Sequence, residues 1–584
     1  MKFLHIVSFS LALAFGSPML SSAQNNTGFF LHTVEKGQSL YSIANMYSVS
    51  IEDIVRLNPQ CNEQIRAGQA LKIPQTAATG SNSKRFHTIQ AGETLYKLTV
   101  KYNITAQKIC DANPGLSASN FRIGQVIVIP NANSAELAST AAAAQTPAPQ
   151  IDSSKKSWKD MHKVEKKETI FSISRMYGIT EDELIAANPE LRKGKLKKGT
   201  FLFIPYPKES AQKSSQSPSN EQLFQENAQP SKNIQTVKVA VLLPFGGNDQ
   251  QRMTEFYEGF LIAVDSLKKK GESFDIYTYD TSAGVNTILA KSEMKDMDII
   301  FGPAHTSNIS AVAGFAEKNN IRLVIPFAPK VDQVFNSPNI YQVNTPQSYL
   351  YSEVYEHFIR KFGKTNVIFM DDGTSDKSKS EFIKGMKSEL KDNSIKYKQI
   401  RLTNEVTPET VIAAMDTLSE NIFIPLSGER TTLTKLLPNL TIVRREHPNF
   451  NMQLFGYPEW QTYTQDFLAN FYELDTYFYS SFYTNNLFPA AINFTRDYRR
   501  WYSKDMANSY PKYGMLGFDI GYFFLRGLSQ WGNKLEDNLN KGGVTAIQTG
   551  FKFERVNNWG GFINRKVFFV HFSKNYELIK LDFE

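Results

Sequence analysis

The sequence predicts a multidomain protein, α+β in its N-terminal part and α/β in its C-terminal part. Three small βααβ modules on flexible linkers precede a two-lobed α/β domain. Three observations carry this reading. The stretch HTVEKGQSLYSIANMYSVSIEDIVRLNP, starting at His32, recurs from His87 and again from His162. Segments rich in Ala, Ser, Pro, Gln and Asn, without an apolar period, separate and follow the copies. From about residue 236 apolar strands alternate with amphipathic helices, the pattern of parallel α/β sheets. The boundaries fall at 31–75, 86–131 and 161–206 for the modules, 132–160 and 207–235 for the longer linkers, and 236–584 for the last domain.

Each repeat opens with a brief strand ending at a turn, which is Gly37 in copy one and Gly92 in copy two. Ser39, Thr94 and Thr169 stand where a helix must be capped. Apolar residues then follow helical spacing: Leu40, Ile43, Ala44 and Tyr47; Leu95, Leu98 and Tyr102; Ile170, Ile173 and Tyr177. A second helix starts at Ser50, Thr105 or Thr180. Asp53 and Glu183 complete a capping-box pattern in two of the three. The pairs Asn58-Pro59, Asn113-Pro114 and Asn188-Pro189 end that helix. LKIP, VIVIP and FLFIP supply a closing strand. So many shared positions at a fixed offset mark a true repeat.

These repeats resemble the LysM family of carbohydrate-binding modules, whose pattern of HTVxxGxSL, LNP and a closing LxIP they follow along their whole length. The resemblance implies binding of N-acetylglucosamine-containing glycans, chiefly peptidoglycan and chitin. It places the groove between the loop after the first strand and the loop before the last. In copy one those loops hold Gly37, Gln38 and Ser39 with Ile65 and Arg66. In copy two they hold Gly92, Glu93 and Thr94 with Arg122 and Ile123. Copy three has Lys167 at the turn glycine, followed by Glu168 and Thr169. A lysine strains a turn that needs φ > 0, so copies one and two are expected to dominate binding. A structural alternative runs alongside: many of these residues build only the turn and the cap.

Composition bounds the rest. At about 150 residues per domain, 584 residues make roughly four units. Hydrophobic residues at 41% and charged residues at 21% are ordinary for globular chains, so disorder throughout is excluded. The formal net charge of +8 is mild for this length. Copy three is locally basic, at Lys163, Lys166, Lys167, Arg192, Lys193, Lys195, Lys197 and Lys198. That is either a solvated lysine face or an attraction to an anionic wall polymer. No motif for nucleic acid occurs, and no nucleic-acid partner is expected. Residues 1–23 read as a secretory signal: Lys2, an apolar run from Phe3 to Phe15, then Ser21-Ser22-Ala23 before Gln24. The chain is therefore expected to be exported to the periplasm or cell wall, with cleavage after Ala23. Cys61 and Cys110 sit at different repeat offsets, and whether they pair stays open.

Linkers of about 30 residues span roughly 30 Å, so the repeats are expected to reach separate strands while the last domain moves about them. That domain reads as strands at VAVLLPF, FDIYTYD, MDIIFGP, IRLVIPFAP, TNVIFMDDG, NIFIPLS, MQLFGYPEW and TYFYSSFY. With IIFGPAHTSNISAVAGFAEKNNIRLVIPFAP and the late Gly517-Phe518-Asp519 segment, it resembles the type 1 periplasmic-binding-protein fold, the clamshell of branched-chain amino-acid receptors. The resemblance implies a ligand cleft between two lobes. One side would be formed by His305, Thr306, Ser307, Ala328 and Lys330, the other by Asp371, Asp372 and Glu459, with Glu459 placed to take an amine. An aromatic of the family's second-lobe loop is missing, because this chain reads DDGTSDKSKS there. The same fold also serves as a protein-docking platform, as in activators of peptidoglycan synthases.

No HExxH, GxSxG or phosphate-loop motif occurs, and the Cys-His hydrolase domain that often accompanies LysM would need another cysteine. No catalytic residue, metal or cofactor is therefore expected. The function read here is a non-catalytic peptidoglycan-binding protein whose clamshell docks an envelope protein or senses a ligand. A wall-tethered solute-binding protein for amino acids or small peptides is the alternative, and a cell-wall hydrolase the weaker third.

Overall fold

The computed structural model describes residues 29–35, 37–61, 65–74, 84–130, 160–164, 168–177, 179–188, 191, 196, 201–204, 218–228, 234–374, 376–401, 407–542 and 546–583. The expected signal segment, Lys167 and most linker residues lie outside them. Each repeat closes a two-stranded antiparallel sheet: β1 (Phe29–Thr33) with β2 (Ala70–Pro74), β3 (Arg85–Thr88) with β4 (Val126–Ile129), and β5 (Asp160–Lys163) with β6 (Phe201–Ile204). Two short helices stand between the strands: Leu40–Tyr47 and Ile51–Leu57, Leu95–Tyr102 and Ala106–Ala112, Ile170–Tyr177 and Glu181–Ala187. The Asn of each Asn-Pro pair explains why that position repeats. In copy one Asn58 Nδ2 donates to Ile54 O and Lys72 O, and its Oδ1 accepts from Lys72 N, all within 2.9 Å. Asn188 makes the same three bonds in copy three. One buried amide thus ties the second helix to the closing strand and leaves none of its own polar atoms unpaired.

The described chain falls into two units. The smaller holds residues 92–109 and 130–228. In it copy three packs Val164, Ile173, Ile179, Leu184, Leu202 and Ile204 into a small core. Residues read as linker form the helix Asn220–Glu226. Ser219 and Gln222 make a reciprocal capping box there, and Asn220 Oδ1 accepts from Leu95 N at 2.9 Å. The low-complexity reading passed over this Ser-x-x-Gln pair, whose local bonds are enough to start a helix.

The larger unit holds residues 1–91, 110–129 and 229–584, with two seven-stranded sheets. The first contains β7 (Val237–Leu243), β8 (Phe274–Asp280), β9 (Ile299–Phe301), β10 (Arg322–Ile325) and β11 (Ile340–Gln342), ordered β8-β7-β9-β10-β11 and all parallel. The second contains β12 (Asn366–Asp371), β13 (Tyr397–Arg401), β14 (Asn421–Pro425), β15 (Met452–Gly456) and β16 (Thr476–Ser480), ordered β13-β12-β14-β15-β16, again all parallel. Both are the doubly wound 2-1-3-4-5 order. β17 (Phe553–Arg555) and β18 (Phe562–Asn564) extend the first sheet, and β19 (Phe568–Phe572) and β20 (Leu578–Leu581) the second. The chain passes between sheets three times: after β11, after β16, and between β18 and β19. The two-lobed α/β architecture read from the sequence is the one observed.

β7 shows why a continuous apolar run becomes a central strand. Val237, Val239, Val241 and Leu243 join the cluster on one face, while Ala240 and Leu242 join that on the other. The first face is covered by the helices Gln250–Lys268 and Tyr513–Trp531. Those helices touch backbone to backbone: a Cβ added at Gly259 would lie 1.8 Å from Gly514 O, and one at Gly517 1.9 Å from Phe256 O. Asp519, on the same helix, accepts from the N–H groups of Ile547, Gln548 and Thr549 at 2.7–2.9 Å. Burial pushes its carboxyl up to about 7 against the pull of those three amides.

The other face is contiguous with copy one. Phe30, Val34, Ile43, Met46, Tyr47 and Ile54 share one cluster with Ala240, Leu242, Ile300 and Trp559. Tyr41 Oη donates to Asp332 Oδ1 at 2.6 Å, and Asn336 Nδ2 donates to Asn45 O at 3.1 Å. Thr88 of β3 bonds Leu31 O of β1 at 2.8 Å, and Phe30 and Phe86 lie 5.3 Å apart. Copy one is therefore docked on the first lobe. This replaces the expectation that the last domain moves freely about it: the apolar face of copy one that a linker would leave wet is covered. Cys61, fully buried, and Cys110 are both free thiols.

Candidate functional site

His32 ties the turn after the first strand to the first helix. His32 Nε2 bonds Gln38 Oε1 at 2.7 Å and its Nδ1 bonds Tyr47 Oη at 2.7 Å. Burial lowers the His32 pKa, with the Gln38 bond opposing, so the ring is neutral near pH 7. Copy three repeats the clamp with Glu168 at 2.8 Å and Tyr177 at 3.0 Å. Gln38 Oε1 also accepts from Glu35 N at 2.9 Å. The hydroxyls of Ser39, Thr94 and Thr169 accept from the amides of Ser42, Lys97 and Ser172 at 3.1–3.2 Å, each capping a helix. Glu93 pairs with Lys101 at 2.8 Å. Gly37 and Gly92 have φ of +84° and +75°, the left-handed turn expected of them. Ile65 packs on the core of copy one; Arg66 is exposed, and its N–H donates to Gln69 Oε1 at 3.0 Å.

A cleft of about 580 Å³ opens where three segments meet. Copy one contributes His32, Thr33, Glu35, Gln38, Met46 and Tyr47. Copy two contributes Gly115 and Asn120 to Val126 except Phe121. The β17–β18 loop contributes Arg555 to Trp559. Asn558 stitches the walls together. Its carbonyl accepts from Gly115 N at 2.8 Å, its Nδ2 donates to Val126 O at 3.0 Å, and its Oδ1 accepts from Gln125 Nε2 at 3.2 Å. Arg555 lies along Gly115, where an added Cβ would come within 2.5 Å of Arg555 Cδ. Its guanidinium donates to Gly560 O at 2.6 Å and stands 4.2 Å over the Phe562 ring. Trp559 is 3% exposed and packs against Tyr47 and Phe86 at 5.9 and 5.3 Å. Beside the cleft, Arg565 Nη2 would meet a Cβ on Gly37 at 2.8 Å. Burial raises the Glu35 carboxyl, with Arg565 opposing and Glu554 adding to it.

Several of the residues placed by analogy between the lobes have partners within the chain. His305 Nε2 is 3.9 Å from Asp249 Oδ2, and Thr306 and Ser307 sit in the 3-10 turn before the helix Ile309–Lys318. Ala328 is buried, and Lys330 stands 4.7 Å over the Tyr41 ring of copy one. Asp371 Oδ1 accepts from Gly373 N at 3.0 Å. Asp372 is buried; burial acts to raise its carboxyl, but bonds from Thr374 and Thr432 with the Lys435 charge outweigh this and hold it below the usual range. Glu459 Oε1 is 2.6 Å from Lys379 Nζ, a buried amine that also stands 4.8 Å over the Tyr457 ring.

A family model for the LysM domain matches residues 32–74, 87–130 and 162–205. The three repeats are LysM domains. The chain is similar to N-acetylmuramoyl-L-alanine amidase sle1 of Staphylococcus epidermidis, 37% identical over 84 residues, 14% of this chain and 26% of the relative. The Staphylococcus aureus protein of the same name is 29% identical over 166 residues, 27% of this chain and 47% of the relative. The chain thus spans from about a quarter to about half the length of these curated relatives, and the likeness runs through the LysM region. Among solved structures, the branched-chain amino acid transporter substrate-binding protein LivJ of Streptococcus pneumoniae, in complex with isoleucine, matches 59% of this chain and 99% of its own at 15% identity and TM-score 0.32. A putative branched-chain amino acid ABC transporter of Rhodospirillum rubrum matches 59% and 100% at 13% identity and TM-score 0.43.

Of the LysM residues singled out in the sequence, Gln38, Arg122 and Ile123 share the cleft. Gly37 lies beside it against Arg565. Ser39, Thr94 and Thr169 are taken up as caps. Sequence reasoning missed Arg555, Asn557, Asn558 and Trp559. A signal was present in the turn-rich NNWGG between two short strands, and in Gly115, where LysM one has Gln60 and LysM three Glu190. No helix among the described residues is long and apolar enough to cross a membrane.

Proposed function

We propose that this chain is an exported, non-catalytic protein that binds N-acetylglucosamine-containing glycan of peptidoglycan through its LysM domains, with the two-lobed domain serving as a docking or sensing module in the cell envelope. The observation that carries it is the set of three LysM matches, each spanning a whole βααβ unit. Glycan strands repeat, so linked domains on one chain gain avidity. The full chain is expected to co-sediment with purified peptidoglycan, and N-acetylglucosamine oligomers to release it. Retention in the supernatant at moderate salt would refute the glycan reading.

Docking is preferred to solute capture because the residues suited to holding a solute have partners already: Glu459 with Lys379 and Lys330 with Tyr41. The second reading, a wall-tethered receptor for amino acids or small peptides, draws support from the two doubly wound sheets, whose strand ends are the usual ligand position in such folds. For export, the mature N-terminus is expected to be Gln24. Recovery of the chain with Met1 intact from a cytoplasmic fraction contradicts that placement.

A further inference from the structure

We infer that the cleft walled by LysM one, LysM two and the β17–β18 loop is a composite subsite for one N-acetylated sugar, in which the two-lobed domain supplies part of the glycan recognition. This rests on the glycan reading above and adds to it a site that no single LysM domain contains. At about 580 Å³ the cleft falls within the size range of small-ligand sites.

Two of its lining residues each carry a polar atom that is left over. Trp559 Nε1 and Gln125 Oε1 are both buried without a hydrogen-bond partner among the described residues. Buried polar groups are nearly always paired, so an orphan donor and an orphan acceptor on residues of one cleft call for a ligand offering both. An acetamido group has that pair: its carbonyl accepts from the indole N–H and its N–H donates to the glutamine oxygen. Ile123, 71% exposed at the rim, offers apolar surface to the acetyl methyl or the sugar ring. The charged groups of the lining are Glu35, Arg122 and Arg555, one acid against two bases, and Arg555 donates to Gly560 O. An amide-bearing sugar is favoured because it offers an acceptor to Trp559 and a donor to Gln125 in one group.

The walls are also fixed in place. Three hydrogen bonds from Asn558 hold the LysM two loop, and Arg555 fills the space that a side chain at residue 115 would need. LysM two, with glycine after its Asn-Pro pair, fits; the Gln60 and Glu190 of its sister domains at that position would not.

The experiment titrates the full-length mature protein with the tetramer of N-acetylglucosamine. Affinity is read by calorimetry, and the indole N–H resonances by ¹⁵N-labelled tryptophan spectra. Trp559→Phe keeps the ring and removes the donor; Gly115→Glu pushes the LysM two loop off Arg555. The resonance missing from Trp559→Phe is expected to shift in the parent as tetramer is added, and each variant to weaken the tightest binding roughly tenfold, the worth of about one hydrogen bond. If the tetramer binds but that resonance stays still and both variants bind like the parent, the composite subsite is wrong and glycan binding stands. If neither tetramer nor peptidoglycan binds the parent, the glycan reading itself falls. Should Gly115→Glu fail to fold, Trp559→Phe and the resonance decide alone.

Discussion

Gly517→Val is expected to lower the stability of the first lobe by about 3 kcal/mol, with the urea midpoint of its unfolding falling accordingly. The helices Gln250–Lys268 and Tyr513–Trp531 approach so closely that the position of a Cβ on Gly517 is 1.9 Å from Phe256 O, and on Gly259 1.8 Å from Gly514 O. Both obstacles are helix backbone, so no rotamer change relieves them. The helices must separate, and the apolar contacts of Phe256, Phe260, Ile520 and Phe524 with the sheet must loosen. Gly314 supplies the control. It lies exposed on the helix Ile309–Lys318 with nothing within 4 Å of an added Cβ, so Gly314→Ala is expected to be neutral or to stabilise by up to about 1 kcal/mol through helix propensity alone. A Gly517→Val protein with the parent's urea midpoint, read by circular dichroism, refutes the close crossing.

What the sequence made legible follows from the range of the interactions involved. The caps of the LysM helices and the turn at Gly37 depend on neighbours a few residues away, and Ser39 and Thr180 declare their partners at fixed offsets. The central strands β7, β12 and β14 declare themselves as unbroken apolar runs because both their faces are covered. β13, Tyr397–Arg401, did not: it is an edge strand with mostly exposed residues and no period to read. β11 is three residues long, between turn-forming segments. The cleft was the least legible feature, because Gln125 and Asn558, which close it, stand 433 positions apart. Proximity across that distance comes from the sheet topology, and no local pattern encodes it. The lobe residues show the converse limit. Resemblance placed Lys330 and Glu459 at a ligand, yet Tyr41 and Lys379, which engage them here, come from a repeat and a helix that the resemblance did not weigh.

Glu459→Ala separates the two readings of the two-lobed domain. If Glu459 waits for a ligand amine, its removal leaves the ligand-free protein as stable as the parent and abolishes a ligand-induced shift. The structure gives it a different occupation. Lys379 is 8% exposed, and its ammonium has Glu459 Oε1 at 2.6 Å. Taking the carboxylate away leaves a buried cation with the more distant charge of Asp376, and losing the close partner of a fully buried pair costs about 3–5 kcal/mol. The Glu459 side chain is 31% exposed, so water partly replaces what is lost. A loss of about 2 kcal/mol is expected, seen as a lowered melting temperature with no ligand added. Lys379→Met, which removes the charge and keeps the chain length over Tyr457, is expected to recover most of that loss when combined with Glu459→Ala, because no buried cation remains there. Amino acids and small peptides are expected to leave the parent's melting temperature unchanged, where a ligand at 100 times its dissociation constant would add about 2.7 kcal/mol. An amino acid that stabilises the parent and not Glu459→Ala, together with an unchanged ligand-free melting temperature in that variant, overturns the docking reading in favour of solute capture.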